Sequence, residues 1–263
     1  MLIKRNVSAD VMWSEREAIE LFHLLFLRAF GARVEKVRYV LKGGCNLRFF
    51  HKSIRYSEDM DLDVRTLSVA TLRNNVDRVL EAPSFLQTLR AQQIELARVS
   101  RPKQTETTQR WKLRLRIGAA GAELPTKIEF SRRAVDQDMV HEAVDPELIH
   151  RYRIYPVLVQ HYTAAAAFAQ KIAALALRTQ IQARDVFDLK LLLDAGAGST
   201  PVSPGTIPKL PRAIENAMSI GYDAFAGQVL AYLEPDYQEH YRARRVWDEL
   251  QEQVVSALEA LRP

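Results

Sequence analysis

The stretch LKGGCNLRFFHKSIRYSEDMDLDV, residues 41–64, decides how this chain reads. A short apolar run, VRYVL at 37–41, leads into Gly43 and Gly44, and four acids follow at Glu58, Asp59, Asp61 and Asp63. An apolar run and then a glycine pair predict a strand, a turn and a short helix from about Cys45 to His51. MDLDV (60–64) predicts the next strand. Side chains alternate along a strand, so Asp59 and Asp61 share a face, Asp63 joins them if the strand is straight, and Glu58 points the other way. Neighbouring carboxylates repel unless they are solvated or neutralised by a cation. Hard oxygen ligands at this spacing suit Mg²⁺. Two such ions can clamp the attacking and leaving oxygens of a phosphoryl transfer. Glycines at a helix start let backbone N–H groups come close to a phosphate. No Lys-Ser or Lys-Thr follows them, so the turn is not a Walker A loop. The bland alternative is a solvated acidic strand, or acids paired structurally with Arg55 and Arg65.

Outward from this stretch the pattern is α+β. Ser14-Glu15-Arg16-Glu17 reads as a capping box, and Ile19, Phe22, Phe26 and Ala29 recur at helical spacing up to Gly31. A helix is predicted over 68–82. QQIELARVS (92–100), RWKLRLRI (110–117) and TKIEF (126–130) predict strands, the first two joined by a hairpin loop around Pro102. In RWKLRLRI, Trp111, Leu113, Leu115 and Ile117 alternate with Lys112, Arg114 and Arg116, which makes one face apolar and the other basic. Strand signals thin out after about residue 145. YTAAAAFAQKIAALALRTQ (162–180) and DVFDLKLLLDAG (185–196) predict helices, the Gly/Pro-rich segment 194–211 a loop, and two or three more helices complete the chain. The expectation is a mixed β-sheet with flanking helices over residues 1–145, followed by an α-helical domain over 146–263.

Composition narrows the function classes. The single cysteine, Cys45, excludes an internal disulfide and a cysteine-rich zinc site, and a reducing cytoplasm is expected. The apolar segment LFHLLFLRAF is short and interrupted by His23 and Arg28, so no membrane span is expected. A formal net charge of +5 permits contact with nucleic acid.

Gly43-Gly44 followed by Asp59-x-Asp61 resembles the signature of the nucleotidyltransferase superfamily. The fuller wording resembles more narrowly the AbiEii/AbiGii-type toxins of type IV toxin–antitoxin pairs and phage abortive infection. Lys42, Gly43, Gly44, Leu47, Arg48, Arg55, Ser57, Asp59, Asp61 and Leu62 carry that likeness. TKIEF is similar to the family's second motif, KIAALALR to its third and DVFDL to its fourth, all in the family's order. The likeness runs from about Leu41 to Leu193. One departure stands out: related sequences often carry an acid about one turn before the third-motif lysine, whereas positions 164–167 are all alanine.

The resemblance implies a nucleotidyltransferase-like fold and transfer of an NMP from an NTP to an acceptor hydroxyl, dependent on Mg²⁺ (two ions, with Mn²⁺ as a substitute). It implies Asp59, Asp61 and Glu129 as the metal ligands. Gly43, Gly44, Lys42, Arg48, Arg55, Ser57, Lys171 and Arg178 are the nucleotide-binding candidates. Asp185 or Asp188 would orient the nucleophile or position Lys171. Bland readings stand beside these: Glu129 as a surface acid paired with Lys127 or Arg132, Lys171 and Arg178 as a solvated helix edge, and Asp185 as an N-cap. Lys112, Arg114 and Arg116 form a basic strand suited to an RNA backbone, and the family comparison points to a tRNA 3′ end as acceptor. A cognate antitoxin from an adjacent gene is implied as partner. Two rival readings are a nucleotide- or RNA-binding regulatory module without turnover, and transfer to a protein or small-molecule acceptor.

Overall fold

The protein is described by a computed structural model over residues 13–118, 121–132, 138–199 and 202–262. Two residues of the expected 194–211 loop, and the first twelve of the expected first domain, lie outside the described residues. Helix α1 (Glu15–Gly31) opens on the capping box: Ser14 Oγ accepts from the Glu17 N–H, and the Glu17 carboxylate accepts from the Ser14 N–H at 2.9 Å. Strand β1 (Tyr39–Lys42) follows a 3₁₀ turn and runs directly into α2 (Gly43–Phe50). Then come β2 (Asp59–Val64), α3 (Val69–Leu80), α4 (Pro83–Ala91), β3 (Ile94–Gln104), β4 (Thr108–Ile117) and β5 (Glu123–Ser131). β6 (Met139–Ala143), α5 (Pro146–Arg151) and β7 (Leu158–Tyr162) complete the sheet region.

The seven strands order β3-β4-β5-β2-β1-β7-β6. β2 is antiparallel to β1 and parallel to β5, so the sheet is mixed. The alternation that marks the strands also sorts the two faces. Met60, Leu62, Trp111, Leu113, Leu115, Ile128 and Phe130 are buried on one face, in a cluster with Phe22, Phe26 and Phe30 of α1. Ring contacts seal it, with Phe30 5.4 Å and Trp111 5.8 Å from Phe130 between centroids. Removing one such ring would cost about 3–5 kcal/mol. The other face carries the acids of β2 and the cations of β4.

A second cluster is built by α6 (Ala164–Leu177), α7 (Ala183–Asp194), α8 (Leu210–Met218), α9 (Tyr222–Gln228) and α11 (Arg244–Ala260), with α10 (Pro235–Tyr241) beside them. Phe225 stacks on Trp247 at 4.7 Å in its centre. Four helices follow the 194–211 segment among the described residues, where two or three were expected. Leu47 of α2 also belongs to this cluster, so the glycine-turn helix is wedged between sheet and helices. The expected division after residue 145 falls inside the sheet region: Leu148, Tyr152, Val157 and Val159 pack into the first cluster, and the second begins on α6. β6, α5 and β7 leave little periodic signal because β6 is a half-exposed edge and β7 buries a polar residue, His161.

Candidate active site

Register decides which acids meet. Asp61 lies opposite Glu129 across the parallel β2–β5 pair, and Asp59 lies opposite Lys127. On its other side Asp61 lies opposite Lys42, the last residue of β1. Asp59, Asp61 and Glu129 therefore share the polar face. Asp59 accepts from Lys127 Nζ at 2.5 Å, and Glu129 accepts from Arg110 Nε at 2.5 Å. The bland pairing of Asp59 with Arg55 does not occur. Asp63 is buried and takes Lys42 Nζ at 2.5 Å and the Tyr162 hydroxyl at 2.7 Å.

Asp61 is the odd member. Burial pushes its carboxyl above the usual range, Lys127 and Lys42 pull against that, and Asp59 and Glu129 push further. Among the described residues no three His, Cys, Asp or Glu groups stand close enough together to hold a metal ion as placed. Lys127 and Arg110 have drawn Asp59 and Glu129 to themselves instead.

The glycine turn closes directly on these acids. Gly43 has φ +67°, a left-handed conformation, and a Cβ there would sit 3.3 Å from Asp61 Oδ2. At Gly44 a Cβ would lie 2.5 Å from Ser57 Oγ and 3.3 Å from Arg55 Nη2. Lys42 occupies the N-cap of α2 without a side-chain cap hydrogen bond, so the first amides of this helix have no side-chain acceptor there.

Arg55 connects the turn to the helical half. Its guanidinium donates to Asp188 Oδ2 at 3.0 Å and Oδ1 at 3.1 Å. Lys171 Nζ lies 2.5 Å from Asp188 Oδ2 and donates to Asp185 Oδ1 at 2.9 Å. Arg178 Nε stands 3.0 Å from Asp185 Oδ2 as an ion pair without hydrogen-bond alignment. Asp185 and Asp188 are fully buried. Burial opposes ionisation of Asp188, yet Arg55 and Lys171 hold its carboxyl below the usual range. Asp185 is not an N-cap: Gln182 holds that position, and Asp185 lies inside the first turn of α7. Lys171 is not on a solvated helix edge either, since it is buried.

Arg48 is not brought to this site. It is buried on the far side of α2, donating to Glu20 at 2.6 Å, Glu234 at 2.6 Å and the Ser53 carbonyl at 2.6 Å. Its spacing from the glycines is as expected, but the helix turns it into the junction between the two halves. Ser57 Oγ donates to the Asp59 carbonyl at 2.8 Å and packs under Gly44.

A cleft of about 370 Å³ opens beside Asp59, lined in part by Arg98, Lys112, Arg114 and Lys127. Arg98 lies opposite Arg114, and Lys112 opposite Lys127, so these four cations belong to one face of three adjacent strands. Arg116 sits further along and is engaged by Glu95 at 3.1 Å and Glu123 at 3.3 Å. Arg98 and Lys127 are not among the cations that the sequence pattern assigns to this face. Arg98, Val99 and Ser100 alternate between cleft and core, but a register shift between Leu96 and Arg98 breaks the pattern along the strand, and which strand lies next to which is a tertiary fact.

Residues 25–253 match the model of the family described as "Nucleotidyl transferase AbiEii toxin, Type IV TA system". No curated protein matches the sequence. Two solved structures from Helicobacter pylori share the fold. One is that of JHP933, with a TM-score of 0.59, 16% identity and 95% of each chain covered. The other, described as a candidate nucleotidyltransferase, has a TM-score of 0.59 and 19% identity, covering 95% of this chain and 100% of that one.

Proposed function

The chain belongs to the AbiEii nucleotidyl transferase toxin family of type IV toxin–antitoxin systems, and from that premise we propose Mg²⁺-dependent transfer of an NMP from an NTP to the terminal hydroxyl of an RNA. The observation that carries the reading is the β2–β5 register, which sets Asp61 opposite Glu129 with the Gly43 turn against the Asp61 carboxylate. Family membership also implies a cognate antitoxin. No helix among the described residues is long and apolar enough to cross a membrane.

Asp59, Asp61 and Glu129 are the residues that would hold Mg²⁺. Their chemistry fits: all are hard oxygen donors, and Asp61 is pushed toward protonation in a way that a cation would relieve. A bound Mg²⁺ neutralises charge on the transferring phosphate and lowers the pKa of the attacking hydroxyl.

The chain's own residues supply the rest. The α2 amides after Gly43 offer uncapped donors to the triphosphate, and glycine leaves them open to close approach. Lys42 stands beside the turn as a point charge. Arg55 backs the turn, and Asp188 holds Arg55 and Lys171 together, so the helical half is registered against the phosphate turn by one carboxylate. Arg178 extends this cationic wall through Asp185. Lys127 and Arg110 are on long side chains; when a ligand takes the carboxylates, their charge becomes available to phosphate oxygens. The Arg98–Lys112–Arg114 face, with Arg116 beyond it, would carry the acceptor's backbone toward Asp59.

The test is direct. The full chain is incubated with α-labelled NTPs, Mg²⁺ and total RNA, beside Asp59→Ala and Lys171→Ala. Wild type is expected to label RNA, and both variants to lose the label. No label in RNA or protein under broad conditions would overturn the transfer reading in favour of a binding module. Label in protein would move the acceptor, and an active Asp59→Ala would refute the ligand assignment.

A further inference from the structure

The backbone that presents Asp59 is held from behind by side chains of three separate elements. β1 pairs with β2 only from Asp61 onward, so at Asp59 and Met60 the strand has β5 as its neighbour and no β1 partner. Thr126 Oγ1 of β5 donates to the Glu58 carbonyl at 2.6 Å. His23 Nε2 of α1 lies 2.9 Å from the same hydroxyl oxygen. The hydroxyl has one hydrogen, already on the carbonyl, so His23 Nε2 must be the donor. That leaves Nδ1 as an acceptor, and it faces Cys45 Sγ of α2 at 3.6 Å. Cys45 Sγ gives its one hydrogen to the Asp59 carbonyl at 3.3 Å, beside the Ser57 hydroxyl at 2.8 Å, so it meets His23 Nδ1 as a packing contact and not as a second hydrogen bond. Two consecutive carbonyls under the first acid of the site are thus tied to α1, α2 and β5.

These residue types are not what packing alone asks for. Thr126 sits on the face of β5 that otherwise carries Leu124, Ile128 and Phe130. His23 is buried among leucines and phenylalanines of α1. Burying polar groups in such a core is costly unless they are hydrogen-bonded, and Val or Leu would fill the same places. Burial holds the His23 imidazole at a pKa of about 4, despite the opposing charge of Asp59, so it is neutral and can keep the single tautomer the chain of bonds requires.

We infer that His23, Thr126 and Cys45 are positioning residues that lock the Glu58–Asp59 backbone and so set the place of the Asp59 carboxylate toward a divalent cation. The inference rests on the reading of Asp59 as a cation ligand. Groups that orient a ligand without touching the ion govern its affinity much as the ligand does.

The discriminating pair is Thr126→Val, which keeps the shape and removes the hydroxyl, against Thr126→Ser, which keeps the hydroxyl. The readouts on the full chain are Mn²⁺ affinity by electron paramagnetic resonance and amide hydrogen exchange over residues 57–61. Thr126→Val is expected to weaken Mn²⁺ binding by about tenfold or more and to speed exchange in that segment, while Thr126→Ser stays close to wild type. In the labelling assay Thr126→Val should raise the Mg²⁺ concentration for half-maximal rate without raising the KM for NTP. Wild-type affinity and exchange in Thr126→Val would overturn the inference. A wild type that binds no Mn²⁺ would instead refute the cation reading of Asp59, and exchange alone would then decide whether the brace exists. Should Thr126→Val fail to fold, His23→Gln against His23→Leu asks the same question, since only glutamine can replace the Nε2 donor. Equal behaviour of those two would overturn it.

Discussion

Two groups of carboxylates face each other across the glycine turn, and they are set up in opposite ways. On β2 and β5, Asp59, Asp61 and Glu129 each keep part of their surface exposed, and Asp61 is pushed above its usual range by burial and by the other two acids. On α7, Asp185 and Asp188 are fully buried, yet three cations, Arg55, Lys171 and Arg178, surround them and Asp188 is pulled below its usual range. The first group is short of positive charge, and the second has more than it needs. A site short of positive charge gains from a cationic ligand. A saturated one gains nothing and serves as a fixed support that holds its cations in place. The difference separates the acids that would meet the substrate's metal from the acids that hold Lys171 and Arg55.

That contrast can be broken most sharply at Asp61. Asp61→Asn should lower transfer by about 10³-fold or more while leaving the folded protein as stable as wild type, or more so, at pH 7. Labelling kinetics and a thermal melt of the same preparation check both halves. A loss of stability comparable to that of an Asp188 variant would remove the distinction between the two groups.

Asp188→Ala should do the reverse. It leaves Arg55 and Lys171 buried without their shared counter-ion, and a cost of about 3–5 kcal/mol is expected in a urea melt. Any loss of transfer should follow the loss of folded protein and of Lys171's position. An Asp188→Ala protein that is fully stable but inactive would show that Asp188 belongs with the reacting acids.

The pH dependence of stability sharpens the comparison further, because the signs differ. Asp61 binds its proton more tightly folded than unfolded, so as pH rises from about 3.9 through its raised folded value, stability falls. Asp188 binds its proton less tightly folded, so its contribution is complete above about pH 3.9 and is lost as pH drops through its lowered value. Asp61→Asn should therefore flatten the decline on the alkaline side of that point, and Asp188→Asn the decline on the acid side. Melts across acid pH read both slopes.

The smallest expected effect lies at the rim. Lys112→Ala with Arg114→Ala removes two exposed cations from the cleft beside Asp59. RNA binding should weaken without regard to base sequence, and its salt slope should fall by about one for each cation that contacts a phosphate. An unchanged slope would take the acceptor away from this face.

Much of the molecule is legible from residues that are close together in the chain. The alternation of Trp111, Leu113 and Leu115 with Lys112 and Arg114 names a strand with two unlike faces, and the fold keeps both. The capping box at Ser14, the helical runs that form α6 and α7, and the glycine pair before the D-x-D are local patterns. Each depends on residues a few positions apart, which is why they survive being read alone. Arg48 shows where such reading ends. Its spacing from Gly44 suits a phosphate contact, but α2 turns it toward Glu20 and Glu234, which lie 28 residues before and 186 residues after it. The ion-pair partners of Asp59 and Glu129, the burial of Lys171, and the buried chain from His23 to Glu58 are likewise set by elements far apart in sequence.

The amino-acid sequence by itself determined the motifs, their order, and the family they belong to, because periodicity and spacing are properties of neighbours. Only the tertiary structure decided that Asp61 lies opposite Glu129, that Lys127 and Arg110 hold Asp59 and Glu129, and that Lys171 is locked between two aspartates. Those outcomes depend on strand register and helix packing, where one step of two residues along β5 would place a different side chain against Asp61.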